Sequence, residues 1–493
     1  MCSSDLRIRP GEQVPVDAIV EEGSSLIDES MLSGEPLPVS KTVGDSVSAG
    51  TLNKSGSLVI KAEKVGSETA LSRIIEMVKQ AQASKPEISR MADTVAGIFV
   101  PVVILCSIVT ALTWYLVGPE PQMAYMLVTA MTVLIIACPC ALGLATPMSV
   151  MVGVGKAAEY GILIRNGQAL QSASQLDTLV LDKTGTITEG SPQVTNLSGS
   201  QPQLLRLAAS LEAVSEHPLA EAIVRYAHEQ NVSLSPVDNF QAHSGRGASG
   251  EVDGKTVTLG NSAWMTEQSV DFSAFESEAQ ELAEQAKTPV YIAIDGQIAG
   301  LIAIADPIRK DSVAAIARLK SMGITVVMIT GDNQHTAAAV ARQVGVDNFI
   351  AGVMPEDKAT EIEALQQTGK RVAMCGDGIN DAPALARADV GFAIGNGTDV
   401  AIESADMVLI RNSLHSVADA IELSRATLSN IRQNLFGAFI YNILGIPIAA
   451  GVLFPLTGLL LNPVIAGAAM AFSSVTVVSN ANRLRLFRPS SAR

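Results

Sequence analysis

The sequence predicts a multidomain protein in which transmembrane α-helices carry α/β domains built on a parallel sheet. The chain has 493 residues and a mean hydropathy of +0.31, which is high for a soluble protein. Four segments each hold roughly 20 mostly apolar residues, enough to cross about 30 Å of hydrocarbon. They span about residues 95–117, 124–150, 434–454 and 459–479. Between the two pairs, short strand-like runs end in Gly/Asp loops, which is typical of parallel α/β sheets.

Charge predicts the orientation of these segments. The net charge is −15, from 34 Lys and Arg against 49 Asp and Glu, which argues against a nucleic-acid binder. The links within the pairs, GPEPQ and PLTGL, contain no Lys or Arg, whereas basic residues flank both pairs. The positive-inside rule therefore places both termini and the residues between the pairs in the cytosol. The polar N-terminus, MCSSDLRIRPGEQ, does not read as a cleavable signal peptide.

The cytosolic residues fall into two parts. The first 70 residues or so alternate apolar and polar side chains with Gly and Pro between them, which predicts mostly β-structure. Residues 155–425 contain the runs LDTLVLDKTG, GITVVMITGD and RVAMCGDG, each a buried strand followed by an acidic loop. Residues 200–300 interrupt this pattern as an insert with its own helices and strands.

Acidic side chains follow three of these strands. Asp182, Asp332 and the pair Asp377 and Asp381 converge if the strands are neighbours. Clustered carboxylates repel one another unless a cation joins them, so Mg²⁺ bridging to phosphate is the expected occupant. A carboxylate can also attack phosphate as a nucleophile, and Lys358 can neutralise the transferred phosphoryl group. A single Asp in a Gly loop is more often a turn or helix cap, but three such loops favour one site.

Several motifs together resemble the P-type ATPases. They are DKTGTIT, TGDN, GDGINDAPAL and SGEP, while CPC and SEHPLA resemble the heavy-metal branch, type IB. The likeness extends from about residue 7 to residue 488. It implies that Asp182 is the phosphorylated nucleophile. It also implies that the phosphoryl group is held by Thr184, Thr330, Gly331, Asp332 and Lys358, and that Mg²⁺ and the hinge are organised by Asp377, Asn380 and Asp381.

The same resemblance assigns the other two cytosolic parts. The insert is similar to the family's nucleotide-binding domain, and ATP would be held by Glu212, the His217-Pro218 pair, Gly245, Gly247, Gly260 and Asn261. Aromatic residues are scarce there, so adenine is not expected to stack on a ring. The N-terminal part resembles the actuator domain, in which Glu35 positions the water that hydrolyses the aspartyl-phosphate. Ser33 replaces the family's threonine, which predicts altered rather than lost dephosphorylation.

The membrane segment IACPCALG contains two unusual thiols. Pro139 breaks helical hydrogen bonding, so Cys138 and Cys140 offer sulfur beside freed backbone groups at membrane depth. Thiolates favour Cu(I), with Zn²⁺ and its heavier relatives as competitors. The alternative is that small apolar cysteines flank a simple kink. The five cysteines have no spacing that indicates a disulfide framework.

The last two apolar segments favour copper as the ion. Tyr441 and Asn442, then Met470, Ser473 and Ser474, match the copper subgroup of type IB. Sulfur ligands suit a soft monovalent ion, whereas zinc would enlist Asp, Glu or His, and these two segments contain none. Asp93, near the cytosolic end of the first segment, matches a family position linked to metal uptake or release. It is equally consistent with a carboxylate at a helix start.

The predicted fold class is therefore multidomain α/β plus transmembrane α. It combines a haloacid-dehalogenase-like parallel-sheet phosphorylation domain, an inserted α/β nucleotide-binding domain, a partial β-rich actuator domain and four transmembrane helices. The expected boundaries are a partial actuator domain at 1–70, a first helix pair at 71–155, phosphorylation-domain parts at 156–198 and 301–425, a nucleotide-binding domain at 199–300, a second helix pair at 426–482 and a tail at 483–493.

The expected function is ATP-driven transport of Cu(I), with export from the cytosol across a bacterial-type plasma membrane and a cytosolic copper donor as partner. The family has about eight membrane helices, so the sequence resembles the C-terminal portion of a copper ATPase that lacks part of the ion path. Three alternatives stay open: a zinc or cadmium pump, a phosphohydrolase remnant of the haloacid-dehalogenase type, and a non-catalytic membrane protein.

Overall fold

The computed structural model describes residues 5–29, 38–83, 86–138, 140–199, 203–215, 218–243, 246–285, 287–332, 334–377, 379–395 and 403–490. The chain forms two compact units. The first unit comprises Met1–Leu176, Ala405–Asn412 and Ser416–Arg493. The second comprises Asp177–Ser404 and Ser413–His415.

The N-terminal part of the first unit is a small β-structure. Its elements are β1 (Asp5–Ile8), β2 (Asp17–Gly23), β3 (Ser25–Asp28), β4 (Val39–Lys41), β5 (Ser46–Val47), β6 (Leu52–Ser55), β7 (Leu58–Lys64) and helix α1 (Ala70–Ala83). One sheet has the order β1-β7-β2-β5 and the other β4-β3-β6. Alternation along the strands turns Val20, Leu58 and Ile60 inward, where they are almost completely buried. The mostly β-structure predicted here is what forms.

The membrane part of the first unit follows. Its elements are α2 (Glu87–Val117), α3 (Gln122–Ile136), α4 (Cys140–Glu159), β8 (Ile162–Ile164) and α5 (Gly167–Ser174). The predicted segment 124–150 is thus two helices, with Ala137 and Cys138 outside both. Leu105, Leu112 and Leu116 on α2 are more than half exposed, as expected of side chains that face lipid.

The second unit contains two sheets. Its elements are β9 (Thr178–Asp182), β10 (Gln193–Gly199), α6 (Leu204–Glu212), α7 (Pro218–Glu229), β11 (Val237–His243), β12 (Gly247–Val252), β13 (Lys255–Gly260), α8 (Ser262–Glu267), α9 (Ser273–Glu284), β14 (Thr288–Ile294), β15 (Gln297–Ala305), α10 (Ser312–Ser321), β16 (Thr325–Ile329), α11 (Gln334–Val344), β17 (Asn348–Ile350), α12 (Lys358–Gln367), β18 (Val372–Gly376), α13 (Ala382–Arg387) and β19 (Val390–Ile394). The strands β17-β16-β9-β18-β19 are neighbours in this order, and their pairings are parallel.

The insert has a six-stranded antiparallel sheet with the order β10-β15-β14-β13-β12-β11. Strands β10 and β15 pair from Gln193 to Gly199 and from Gly300 to Ala305, so the insert's sheet extends several residues beyond the expected 199–300 at both ends. Its core packs helices α6 and α7 on one face through Leu207, Leu211 and Ile223.

The C-terminal part returns to the first unit. Its elements are β20 (Met407–Leu409), which pairs antiparallel with β8, and helices α14 (His415–Ala449), α15 (Phe454–Thr457) and α16 (Pro463–Asn482). In the described part of the chain, three helical segments are long and apolar enough to cross a membrane: Glu87–Val117, Gln122–Glu159 and Pro463–Leu486. The predicted membrane segment 434–454 is not one of these three. Its residues up to Ala449 form the C-terminal part of α14, whose N-terminal half is polar, and the helix stops there, before Gly451 at φ +89°.

An aromatic cluster joins the membrane helices at the ends distant from the polar half of α14. The Trp114 and Tyr125 rings stack with centroids 5.6 Å apart, and Phe454 meets Trp114 edge-on at 5.0 Å. The Trp114 indole N–H donates to the Ala450 carbonyl at 2.9 Å. A Cβ at Gly451 would lie 2.5 Å from the Trp114 ring, so this position has no room for a larger residue.

Candidate functional site

The carboxyl ends of three neighbouring strands place the acidic residues together. Asp182 is the last residue of β9, and it pairs in register with Ile329 at the end of β16. Asp377 directly follows β18, on the other side of β9. Because parallel strands end at one edge of a sheet, loops that are far apart in sequence meet there.

Lys358 lies between two of these carboxylates. Its Nζ is 2.6 Å from Oδ1 of Asp182 and 2.7 Å from Oδ1 of Asp381. All three residues are buried, with Lys358 only 7% exposed. Burial lowers the pKa of Lys358, but the charges of the two neighbouring aspartates outweigh this effect and raise it. The lysine is therefore held in its charged form.

Three carboxylates form a candidate cation site. Oxygen atoms of Asp182, Asp377 and Asp381 all lie within 4.8 Å of one another. Burial and the neighbouring Asp381 raise the pKa of Asp182 to about 7, and burial likewise raises the pKa of Asp377. One lysine cannot balance three carboxylates, and an all-oxygen donor set is what Mg²⁺ prefers, so these residues fit a magnesium ion.

The loop after β9 is held closely against this cluster. Gly185 has φ +73°, and a Cβ there would overlap the Asp377 carboxylate. The guanidinium of Arg309 donates to the carbonyl oxygens of Gly185 and Thr188. Lys183 Nζ forms an ion pair of 2.7 Å with Asp332. Lys183 and Arg309 were missed by the sequence reasoning, although Lys183 lies inside DKTGT itself.

The other predicted phosphoryl-binding residues lie around the same edge. Thr330 is buried and its hydroxyl accepts a hydrogen bond from the Asp332 N–H at 3.1 Å. Thr184, Gly331 and Asn380 are exposed, and Asn380 lies in a 3₁₀ turn, Ile379–Asp381, beside the cluster. This edge of the sheet thus combines exposed residues with the buried Asp182 and Lys358.

A cavity of about 410 Å³ lies in the insert. Four predicted nucleotide-binding residues line it: Glu212, Gly247, Gly260 and Asn261. His243 and Arg246 line it as well, and His243 packs on Trp264 with ring centroids 4.1 Å apart. Sequence reasoning missed these two residues, although Arg246 stands between the glycines of SGRGASG.

The structure gives the glycines and Asn261 of this cavity specific local roles. Gly247 and Gly260 are opposed on β12 and β13. A Cβ on Gly247 would overlap the Leu259 carbonyl, and one on Gly260 would lie 2.5 Å from the Trp264 ring. The Asn261 side chain caps α8 by accepting from the Trp264 N–H at 2.9 Å. The glycines thus allow close packing of the cavity wall, in addition to any approach of a nucleotide.

Glu212 is the acidic residue of the cavity. It is the last residue of α6, and burial raises its pKa, an effect that a hydrogen bond with Ser215 partly offsets. The raised pKa favours the protonated carboxyl, which can donate a hydrogen bond as well as accept one.

The predicted copper ligands on α14 and α16 include buried polar atoms that lack hydrogen-bond partners among the described residues. Met470 and Ser473 on α16 and Asn442 on α14 are buried. Among the described residues, the Asn442 Oδ1 and the Ser473 hydroxyl are polar atoms without a hydrogen-bond partner. Tyr441 and Met470 line a common cavity of about 450 Å³. Ser474 instead donates to the Met470 carbonyl at 3.4 Å.

Cys138 and Cys140 are joined as a disulfide, with their Cα atoms 5.5 Å apart. This pairing was not expected from the sequence, and a disulfide sulfur is not a thiolate ligand. The two sulfurs can nevertheless reach one point, which is what a shared ion requires. Asp93 is exposed on α2. Outside the described residues lie the predicted positions Ser33, Glu35, Pro139, His217 and Gly245.

Comparisons with known proteins agree with this geometry. Residues 176–389 match the model of haloacid dehalogenase-like hydrolases, and residues 4–79 match the P-type ATPase actuator domain. The chain is 33% identical to a zinc-transporting PIB-type ATPase solved in its E2.Pi state, with a TM-score of 0.67, covering 97% of this chain and 78% of that one. These matches define a haloacid dehalogenase-like domain and an actuator domain in a chain that also has helices long and apolar enough to cross a membrane.

Curated relatives are more similar in sequence. A copper-exporting P-type ATPase of Vibrio cholerae is 58% identical over 97% of this chain and 53% of its own length. A silver exporting P-type ATPase of Salmonella typhimurium is 54% identical over 98% and 59%. The chain thus spans little more than half of these relatives. It belongs to the P-type ATPases, in their heavy-metal branch, and it is an integral membrane protein.

Proposed function

We propose that the chain takes part in ATP-driven transport of Cu(I) out of the cytosol, through a phosphorylated Asp182. The observation that carries this proposal is the pairing of buried Lys358 with Asp182 at the edge of an acidic cluster. Such a pair holds a carboxylate ready for attack on a phosphoryl group and neutralises the charge that arrives with it.

The chemistry follows from the residues around Asp182. An Asp182 oxygen attacks the γ-phosphorus of ATP, the bond to the bridging oxygen breaks, and ADP leaves. Lys358 stabilises charge on the transferred group, while Thr330 and Asp332 line its approach. Magnesium held by Asp182, Asp377 and Asp381 would supply positive charge to the phosphate oxygens. Water then hydrolyses the aspartyl-phosphate, a step in which Glu35 is proposed to position that water. The cavity at Glu212 and Arg246 is the proposed nucleotide site.

The choice of Cu(I) depends on the membrane residues. Cys138, Cys140 and Met470 supply sulfur, and residues 434–479 contain no Asp, Glu or His. The buried oxygens of Asn442 and Ser473 have no hydrogen-bond partner among the described residues, so they are available to a ligand. Soft sulfur donors favour Cu(I), and Ag(I) belongs to the same chemical class. The names of the copper and silver relatives support this choice, and a cytosolic copper donor is the partner it requires.

Phosphorylation by labelled ATP tests the proposal. The reduced, detergent-solubilised protein is incubated with Mg²⁺ and either Cu(I), Ag(I), Zn²⁺ or a strong chelator. We expect a hydroxylamine-sensitive phosphoenzyme with Cu(I) and Ag(I) that disappears in Asp182→Asn. Cys138→Ala should lose the metal dependence. Stimulation by Zn²⁺ alone would contradict the copper assignment, and labelling that persists in Asp182→Asn would contradict the nucleophile.

A further inference from the structure

A second polar cluster lies deep between the helices that carry the proposed copper ligands. It consists of Ser149 on α4, Asn430 and Asn434 on α14, and Asn480 on α16, and is called the amide cluster below. Ser149 is 0% exposed, Asn434 2% and Asn430 6%. Burying two amides and a hydroxyl in a membrane protein is costly unless their hydrogen bonds are made, so the cluster needs a physical explanation.

Asn434 is the centre of the amide cluster. Its side-chain nitrogen donates to the Ser149 hydroxyl at 2.9 Å and more weakly to Asn430 at 3.3 Å. Its oxygen accepts from the Asn480 nitrogen at 2.9 Å. The Ser149 hydroxyl also donates to Asn430 at 2.8 Å, and Asn430 donates to the Asn480 carbonyl at the same distance. One side chain therefore connects three helices.

The amide cluster lies at the same depth on each helix. Ser149 follows Cys140 on α4, Asn434 precedes Asn442 on α14, and Asn480 follows Met470 on α16, by eight to ten residues in each case. At 1.5 Å per helical residue, this places the cluster about 12–15 Å from the ligand level on all three helices. Because this distance is similar on all three helices, the amide cluster joins them at one level, on the cytosolic side of the proposed copper ligands.

Hydrogen bonding separates the two levels. At the ligand level, Asn442 Oδ1 and the Ser473 hydroxyl have no partner among the described residues. In the amide cluster, the side chains of Ser149, Asn430 and Asn434 satisfy one another. Cu(I) prefers sulfur ligands, so binding it would not compensate for the hydrogen bonds that these amides would have to break. The cluster is thus suited to hold helices rather than to bind the ion.

Close backbone packing accompanies the amide cluster. A Cβ on Gly153, one helical turn after Ser149, would lie 2.6 Å from the hydroxyl oxygen of Thr427, a residue about one turn before Asn430 and two turns before Asn434. A Cβ on Gly445 would meet Ile136 at 2.6 Å on the other side of the ligand level. Small residues let α4 and α14 approach closely, so a lost hydrogen bond here cannot be replaced by lipid.

We propose that Asn434 is a positioning residue for the membrane ion site: by joining α4, α14 and α16, it sets the relative register at which Cys138, Cys140, Asn442 and Met470 face one another. This inference rests on the proposed function for the identity of the ion, and the register itself is independent of it. Removing the Asn434 amide breaks its hydrogen bonds to Ser149 on α4 and to Asn480 on α16, and this weakening of the junction lets those helices shift. Copper binding then weakens, while the proposed phosphoryl site, which belongs to the other compact unit, is unchanged.

The test compares Asn434→Leu with Asn482→Leu, which changes an exposed asparagine on the same helix as Asn480 and has no hydrogen bond to the amide cluster. The Cu(I) concentration that half-saturates phosphorylation by ATP should rise at least about tenfold in Asn434→Leu. The KM for ATP, and labelling of Asp182 by inorganic phosphate without copper, should stay within about twofold. Asn482→Leu should match the wild type in all three measurements.

A second measurement is independent of copper transport. In reduced protein without metal, mass spectrometry follows the alkylation rates of Cys138 and Cys140, with Cys106 as an internal reference. We expect Asn434→Leu and Asn480→Leu to change the two rates at least about fivefold. Unchanged rates together with unchanged copper dependence in a folded Asn434→Leu would overturn the proposal. Changed alkylation without copper-dependent labelling in the wild type would support the register and reject copper as the ion. If Asn434→Leu does not fold, the half-buried Asn480→Leu decides the result.

Discussion

Lys358 is held between Asp182 and Asp381 with little solvent around it, so its removal leaves these two buried carboxylates without the lysine charge that pairs with them. Breaking a buried ion pair in this way typically costs about 3–5 kcal/mol. We predict that Lys358→Met reduces phosphoenzyme formation by about 10²–10³-fold, the usual effect of losing one preorganised charge. It should also lower the free energy of unfolding, measured with chemical denaturant, and added Mg²⁺ should recover part of this loss.

Lys320→Met is the matched control. Lys320 pairs with Asp347 at 2.9 Å in the same unit, but both side chains are about one-third exposed. Exposed pairs contribute about 0–1 kcal/mol, so this variant should keep phosphorylation and stability close to the wild type. Equal losses in the two lysine variants would contradict a specific role for Lys358.

The burial of Glu212 in the cavity of the insert predicts a pH dependence of the stability of the second unit. Its pKa in the folded protein is raised above the ordinary value of 4.5 by burial. The protonated form therefore stabilises the fold; this contribution is complete below pH about 4.5 and is lost as pH rises through the folded pKa. Glu212→Gln should raise the unfolding temperature of the second unit at pH 7–8, and the difference from wild type should vanish towards pH 4.

Trp264 fluorescence, which reports on the same cavity, can follow this unfolding. Glu229→Gln, at an exposed position at the end of α7, is the control and should show no such pH-dependent difference. If Glu212→Gln instead destabilises the unit at neutral pH, the carboxylate forms favourable contacts in its charged state, and the argument from burial fails.

At the level of elements, the loop after β9 depends on a residue without a side chain. Gly185 has both a left-handed backbone and no space for a Cβ, whereas Gly254, with φ +73°, has open space around it. Both substitutions to alanine incur the backbone strain of about 1–2 kcal/mol. Only Gly185→Ala should also displace Asp377 and abolish labelling by ATP. Similar labelling in the two variants would exclude this steric explanation.

Sequence patterns located some elements better than others. The parallel strands that end in Asp182 and Asp377 were predicted because their apolar runs and acidic loops are local signals. The C-terminal end of α14 was not predicted, because the sequence stays apolar past Ala449 although the backbone turns at Gly451. The insert's first and last strands, β10 and β15, extend beyond the expected boundaries of 199–300, because the pairing of strands that are distant in sequence leaves no pattern in either segment alone.

Individual residues were likewise predicted where a local motif marks them and missed where their role depends on a contact distant in sequence. Asp182, Lys358 and Asp381 were grouped from their motifs, and the structure places them in contact. Arg309 and the amide cluster around Asn434 were missed, because each acts through a contact with residues more than 100 positions away. Nothing in the immediate sequence of Asn434 distinguishes it from a solvent-facing asparagine.

At the level of the whole molecule, Asp182 and the membrane thiols lie in different compact units. Copper-dependent labelling of Asp182 therefore measures coupling along the entire chain. Because a Cys138–Cys140 disulfide removes both thiolates, we predict that oxidised protein shows no copper-stimulated labelling and that reduction restores it. Labelling by inorganic phosphate without metal should be insensitive to the reductant. Copper stimulation that survives oxidation in a sample confirmed as disulfide-bonded would mean that other ligands suffice.

The two tryptophans of the chain are divided between the units. Trp114 lies in the aromatic cluster of the membrane helices, and Trp264 packs on His243 beside the nucleotide cavity. Each unit therefore contains its own intrinsic fluorophore. A pair of single-tryptophan proteins, made by Trp114→Phe and Trp264→Phe, would record in real time whether ATP changes the surroundings of the cavity first and those of the membrane helices only later, without any attached dye.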